Sequence, residues 1–167
     1  MPGPHAYLLT WTTYGAWLHG DARGSVDDAH NTYGREFNPT SMARIEWTRE
    51  RMAEPALVLD DMARAVVDRA IRDRCAFTGA ALHALNVRTN HVHAVVTLPG
   101  HPPERIMQSL KSWSTRALKL IPEMATRTHF WTRHGSTRYL WDDRAVVSAC
   151  EYVVLGQDGR GERAGRD

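Results

Sequence analysis

Apolar and polar positions alternate most clearly in Asn90-His91-Val92-His93-Ala94-Val95-Val96-Thr97-Leu98. A strand has a side-chain period of two, so Val92, Ala94, Val96 and Leu98 form one all-apolar row, the expected core side of a sheet. His91 and His93 share the opposite row with Val95 and Thr97. Ala6 to Tyr14 is rich in strand formers and predicts a first strand. Ala81 to Thr89 predicts a second. It runs through Thr89-Asn90 straight into the histidine strand, and so short a connection implies an antiparallel hairpin.

Helical periodicity occupies the segments between. Ala63, Val66, Val67, Ala70 and Ile71 make an apolar stripe that Asp60 or Asp61 can cap and Gly79 can stop, giving a helix to about Phe77. A further helix is expected from Pro103 to about Ile121. It should bury Ile106, Leu110, Trp113, Ala117 and Leu120, and leave Gln108, Lys111, Ser112, Thr115 and Lys119 outside. His129 to Thr132 and Arg138 to Trp141 read as two short strands around a His134-Gly135-Ser136 turn. Asp142 or Asp143 caps a last helix from Arg144 to Leu155. Gly15 to Pro55 is long, polar and irregular, with a short helix from Arg44 to Met52, and such a loop is often functional. The order gives an α+β, split βαβ, ferredoxin-like antiparallel sheet with helices packed on one face. The other face would carry His91 and His93. One domain over residues 1–155 is expected, with a frayed glycine- and arginine-rich tail at 156–167.

Composition narrows the setting. Hydrophobic residues at 43% and charged residues at 24% are ordinary for a globular protein, and a net charge of +2 does not by itself indicate nucleic acid. Its distribution says more. Pro103 to Trp141 holds seven basic residues (Arg105, Lys111, Arg116, Lys119, Arg127, Arg133, Arg138) against Glu104 and Glu123, a local +5 that leaves −3 for the rest. Cys75 and Cys150 match no metal spacing and read as buried thiols in a reducing compartment. With no apolar run of 18 residues and no signal-peptide core, a cytoplasmic location is expected.

Two imidazoles on one strand face can bind one divalent cation. Alone, the pattern fits two ordinary surface histidines equally well. Other features change this balance. Besides Asn-His-Val-His at 90–93, the chain holds Thr-Tyr-Gly-Ala-Trp-Leu at 13–18 and Gly-Asp-Ala-Arg-Gly-Ser at 20–25. It also holds Leu110-Lys111 and a Tyr-Val-Val-Leu-Gly-Gln run at 152–157. In these motifs, over nearly its whole length, it resembles the single-tyrosine HUH (His-hydrophobe-His) transposases, in their IS200-like, REP-associated tyrosine transposase branch.

The resemblance implies an HUH endonuclease fold completed by a C-terminal tyrosine-bearing helix. It also implies Mg²⁺ or Mn²⁺ on His91 and His93 and a nucleophilic Tyr152. Tyr152 would cut single-stranded or hairpin DNA through a 5′-phosphotyrosine link and pass the strand on. A third ligand often follows the tyrosine by four residues in this family. Here that position is Gly156, and Gln157 lies about 140° from Tyr152 on an ideal helix. Gln157 becomes a ligand if Gly156 ends the helix and swings it back; otherwise water or another side chain completes the shell. Two histidines suit Mn²⁺, Zn²⁺ or Ni²⁺ better than Mg²⁺. Lys111, Arg116, Lys119 and Arg138 are the expected DNA contacts, with Trp131, Tyr139 and Trp141 either stacking bases or packing the core. A monomer and a homodimer both fit. A non-catalytic DNA-binding module and a metal-dependent hydrolase on the same scaffold are the competing readings.

Overall fold

The computed structural model describes residues 2–16 and 42–155, without the side chains of 44 and 45. Its elements are β1 (Ala6–Thr12), α1 (Met42–Arg51), α2 (Asp61–Thr78), β2 (Ala81–Val87), β3 (His91–Thr97), α3 (Pro103–Leu118), β4 (Ser136–Leu140) and α4 (Asp143–Val154). A short 3₁₀ turn, Pro122–Met124, follows α3. The strands form one antiparallel sheet in the order β2-β3-β1-β4, the ferredoxin-like arrangement expected from the sequence.

Local chemistry sets the helix ends. Asp60 accepts a hydrogen bond from the Ala63 N–H at 2.8 Å, satisfying one of the orphan donors of the first turn of α2. Gly79 ends that helix in the left-handed conformation at φ 76°. Asp142 does for α4 what Asp60 does for α2, accepting from the Ala145 N–H at 2.7 Å.

The two faces of the sheet are covered unequally. Leu9 and Trp11 of β1 and Val92, Ala94 and Val96 of β3 pack under α2 and α3, against Val67, Ile71, Ile106 and Leu110. On the reverse face, Ala6, Leu8, Ala84, Val95 and Leu140 are covered by α4 alone, through Ala149 and Val153 with Ala145, Val146 and Cys150 partly buried beside them. That face is therefore half covered, and its open half is where His91 and His93 stand.

The structure corrects several expectations. Helix α3 stops at Leu118, and its buried stripe is Ile106, Met107, Leu110, Lys111, Ser114 and Leu118. Trp113 and Leu120 are exposed, and Lys111 turns inward. The 129–132 stretch is not a strand. It meets β1's extension through a single bridge, Thr13 to Trp131, and β4 begins only at Ser136, beyond a turn where His134 has φ 66°.

Candidate functional site

Cross-strand pairing brings the polar residues together. On the open face Thr10 lies opposite His93 and Thr12 opposite His91. Asn86 of β2 flanks His93 from the other side. The two imidazoles stand edge to face, centroids 4.8 Å apart at 84°. Each ring is held at Nδ1 by a side-chain oxygen. Asn90 Oδ1 lies 2.7 Å from His91 Nδ1, and Thr10 Oγ1 lies 2.8 Å from His93 Nδ1. Asn90 is itself fixed, because its carbonyl accepts the backbone N–H of Thr13 at 2.9 Å. The Asn90 amide oxygen can only accept, so it favours the His91 tautomer with the proton on Nδ1 and the lone pair on Nε2, and the Thr10 hydroxyl can accept from His93 Nδ1 in the same arrangement, that of a metal-binding histidine. His93 is only 6% exposed. Burial first, then the neighbouring His91 and Arg88, push its pKa down to about 4, so it is neutral at neutral pH.

Helix α4 supplies the tyrosine. Ala149 and Val153 pin the helix to the sheet, and Asn86 Nδ2 donates to the Val153 carbonyl at 2.9 Å. That carbonyl is one of the last four in the helix and has no partner within it. The docking leaves Tyr152 39% exposed, its ring 6.0 Å from that of His93 and perpendicular to it. Among the described residues Tyr152 is the one tyrosine lining the cleft. Tyr7 and Tyr139 pack against each other on β1 and β4, and the Tyr14 hydroxyl accepts from the Ala53 N–H. Tyr33 lies outside the described residues.

The cleft holds about 1070 Å³ and is strongly cationic. Arg88, Arg133, Arg138 and Arg144 line it. Asp142 is its one lining carboxylate, and an oxygen of that carboxylate is already committed to capping α4. Such a concave, low-dielectric, cationic surface concentrates field on an anion.

The matching family model, for IS200-like transposases, covers residues 52–152, from just before α2 to the cleft tyrosine. This chain belongs to the IS200-like transposase family. Two solved structures share the transposase's fold. One is a candidate transposase from Deinococcus radiodurans R1, 16% identical, with a TM-score of 0.53 over 92% of this chain and 91% of that one. The other is a REP-associated tyrosine transposase bound to a REP hairpin, 12% identical, with a TM-score of 0.57 over 96% of this chain and 70% of that one. No curated protein matches the chain. Among the described residues, no helix is long and apolar enough to cross a membrane.

Of the expected site residues, the structure gathers His91, His93, Tyr152 and Arg138 in the cleft. Gln157 lies outside the described residues. Among the described ones no cluster of three or more His, Cys, Asp or Glu side chains forms, so the two histidines are the protein donors in view. Two imidazoles side by side on one strand face, each anchored at Nδ1, fit a borderline divalent ion. Lys111 does not reach the cleft as a free cation. It is 6% exposed, and its ammonium donates to the carbonyls of Thr132, at 3.1 Å, and of His134. Burial holds its pKa below the usual lysine range. Arg116 and Lys119 line a separate groove between α3 and the segment leading to β4. Trp131 packs edge-on against Trp11, and its indole N–H is shared by Lys111 O and Thr115 Oγ1, so it belongs to the scaffold. Tyr139 and Trp141 stack on each other at the surface, 5.8 Å apart.

Three cleft arginines fall outside the residues expected from the sequence. The spacing Arg144, Ser148, Tyr152 could have pointed to one, since residues four apart share a helix face. Arg88 lies in the short β2–β3 turn, its backbone N–H bonded to the His91 carbonyl, so the hairpin alone places it beside the histidines; Arg133 belongs to the basic segment 103–141, but only the topology brings it to them.

Proposed function

We propose that this transposase cuts and rejoins single-stranded DNA through a covalent link to Tyr152. The observation that carries the reading is a tyrosine and a neutral, buried histidine 6.0 Å apart in a cleft lined by four arginines. In the forward step the Tyr152 phenolic oxygen attacks the scissile phosphorus and its proton passes to solvent. The new bond joins that oxygen to phosphorus. The bond to the 3′ oxygen breaks, and that oxygen takes up a proton from solvent and leaves as a 3′-hydroxyl. A phenol with a pKa of about 10 is a better leaving group than an alkoxide, so a strand's 3′-hydroxyl can reverse the step without an external energy source.

Thr10 and Asn90 hold the imidazoles with Nε2 as the ligating atom, and Arg138 with its neighbours binds the flanking phosphates. A divalent ion such as Mn²⁺ on His91 and His93, with Gln157 or water in its shell, would polarise the phosphate and offset its developing charge. Hairpin DNA is the substrate class favoured by the hairpin-bound relative of like fold. Lys111 serves this site indirectly, by fixing the turn that carries Arg133.

The test is incubation of labelled single-stranded hairpin DNA with Mn²⁺, followed by a denaturing gel. Wild type should give a protein–DNA adduct and Tyr152→Phe none, with the variant still folded and still binding DNA. Cleaved DNA without any adduct would identify a hydrolase instead. An adduct of full strength in Tyr152→Phe would move the nucleophile elsewhere.

A further inference from the structure

The cationic cleft does not end at its own rim. A second groove of about 990 Å³ runs between α3 and the segment 128–137, and it shares Thr132, Arg133 and Gly135 with the cleft. The turn 132–135 is thus a common wall, with Arg133 facing both sides. This wall is rigid. The buried Lys111 ammonium ties down the carbonyls on either side of Arg133, those of Thr132 and His134. Gly135 sits so close to β1 that a Cβ there would come 2.6 Å from the Thr10 carbonyl oxygen. Arg133 is therefore exposed on a backbone that cannot swing away.

We propose that this second groove is a track for single-stranded DNA, continuous with the catalytic cleft over Arg133, which holds the strand flanking the cut. The proposal rests on the function given above. Charge is its first support. Arg133, Arg116 and Lys119 line the groove, with Glu104 as its one carboxylate. Among the described residues no carboxylate pairs with Arg116. Its guanidinium instead lies over the Trp113 ring, 5.1 Å from its centre, and that of Arg74 on α2 lies 5.0 Å from the same ring. Gln108, Ser112 and Thr115 add hydrogen-bonding groups between the cations. Such a mixture of cations and hydrogen-bonding side chains suits a sugar-phosphate strand whose bases are unpaired. Reach is the second support. From Glu104 to Lys119 the groove follows α3 for about 22 Å at 1.5 Å per residue. That length is enough for a single strand of several nucleotides, within the site sizes of single-strand-binding grooves.

The experiment measures binding of fluorescent hairpin oligonucleotides by anisotropy across a salt series. One oligonucleotide has minimal flanks; two others carry a flank extended by eight nucleotides on either the 5′ or the 3′ side. Adduct formation by wild type is measured in parallel. Expected for wild type is a steeper dependence of log K on log salt with one of the extended flanks. In Arg116→Ala/Lys119→Ala that slope should fall by about 1.4, which is about 0.7 for each single-strand phosphate that is no longer neutralised. The charge reversal Arg116→Glu/Lys119→Glu should remove the whole gain from the extended flank. Equal slopes for short and extended oligonucleotides in an adduct-forming wild type overturn the track and leave the cleavage reading standing. So does an unchanged slope in both double variants. A wild type that forms no adduct overturns the cleavage reading, and the track falls with it.

Discussion

Thr10→Val tests whether the strand next to the histidines tunes them. Thr10 lies opposite His93 in the β1–β3 ladder, and its hydroxyl is 2.8 Å from His93 Nδ1. Valine keeps the β-branched shape that suits a strand and removes one oxygen. With a metal ion on Nε2, Nδ1 must carry the proton and needs an acceptor. His93 is 6% exposed, so water does not readily replace the missing one. A buried donor without a partner costs about 1–3 kcal/mol, which at 1.36 kcal/mol per tenfold is roughly a 5- to 150-fold loss of metal affinity. Removal of an outer-shell partner elsewhere costs about 10–100-fold, in agreement. Titration calorimetry with Mn²⁺ should therefore show Kd raised by about one to two orders of magnitude. Thr10→Ser, which keeps the oxygen, should stay near wild type. Adduct formation in Thr10→Val should fail at low Mn²⁺ and recover at high Mn²⁺. A Kd within about twofold of wild type would refute the reasoning, because the Nδ1–H of a metal-bound His93 would then need no acceptor from Thr10.

Other perturbations separate the parts of the site. His91→Ala and His93→Ala should each take adduct formation below detection while hairpin binding by anisotropy persists; adduct at wild-type rate from either variant would exclude that histidine as a ligand. Asn86→Ala removes the donor to the Val153 carbonyl, so it should lower stability by about 1 kcal/mol and slow adduct formation while Mn²⁺ affinity holds. A slowed adduct with equally weakened Mn²⁺ binding would mean that Asn86 acts on His93 rather than on α4. Glu54 accepts from the backbone N–H groups of Thr128 and His129 and from the His129 ring, and these bonds hold its carboxyl down to about 2. A depressed carboxyl pKa stabilises the fold fully above its ordinary value of 4.5, and that contribution is lost as pH falls toward 2. The melting temperature of Glu54→Gln should thus lie below that of wild type at pH 7 and meet it near pH 2; a gap independent of pH would show that Glu54 does not titrate as the structure implies.

Much of this is legible in the sequence wherever a local rule governs. The alternation from His91 to Leu98 puts the imidazoles on the correct face, and Asp60, Gly79 and Asp142 mark helix ends by chemistry that needs no tertiary partner. The departures have tertiary causes. A charged side chain such as Lys111 is expected outside. Its burial is decided by the 128–135 segment, which crosses α3 and offers two carbonyls to its ammonium. Leu120 lies past the end of α3 at Leu118, and Trp113, inside the helix, sits beside the buried stripe of Ile106, Met107, Leu110, Ser114 and Leu118. The bond from Asn86 to Val153 joins residues 67 apart, and the cleft arginines are spread from 88 to 144. No window along the chain contains either.

The boundary between structure and chemistry runs across the strands rather than between elements. On the α4 face, Leu8 pairs with Val95 and Ala6 with Leu140, and these rungs lie under Ala149 and Val153. One rung further, Thr10 pairs with His93 and with Ser136, and beyond it Thr12 pairs with His91. The same strands are thus anchored by apolar packing at one end and line the cleft at the other. Beneath the cleft end the opposite face remains closed, since Trp11 lies between Thr10 and Thr12, and Val92 between His91 and His93, both essentially inaccessible. The histidines accordingly stand on backbone fixed from below by the main core and from the side by ladder hydrogen bonds. Their rings can be oriented by single oxygens because little else is free to move. Tyr152 is held differently, by a helix that rests on the sheet through Ala149 and Val153, with Ala145, Val146 and Cys150 partly buried beside them, and that is tied at its ends by His5 to Asp143 and by Asn86 to the Val153 carbonyl. Under the proposed function the tyrosine would have to follow the phosphorus as the bond forms and breaks. A nucleophile on a helix laid over the sheet, with metal-binding histidines built into the sheet, would divide those two demands between separate elements.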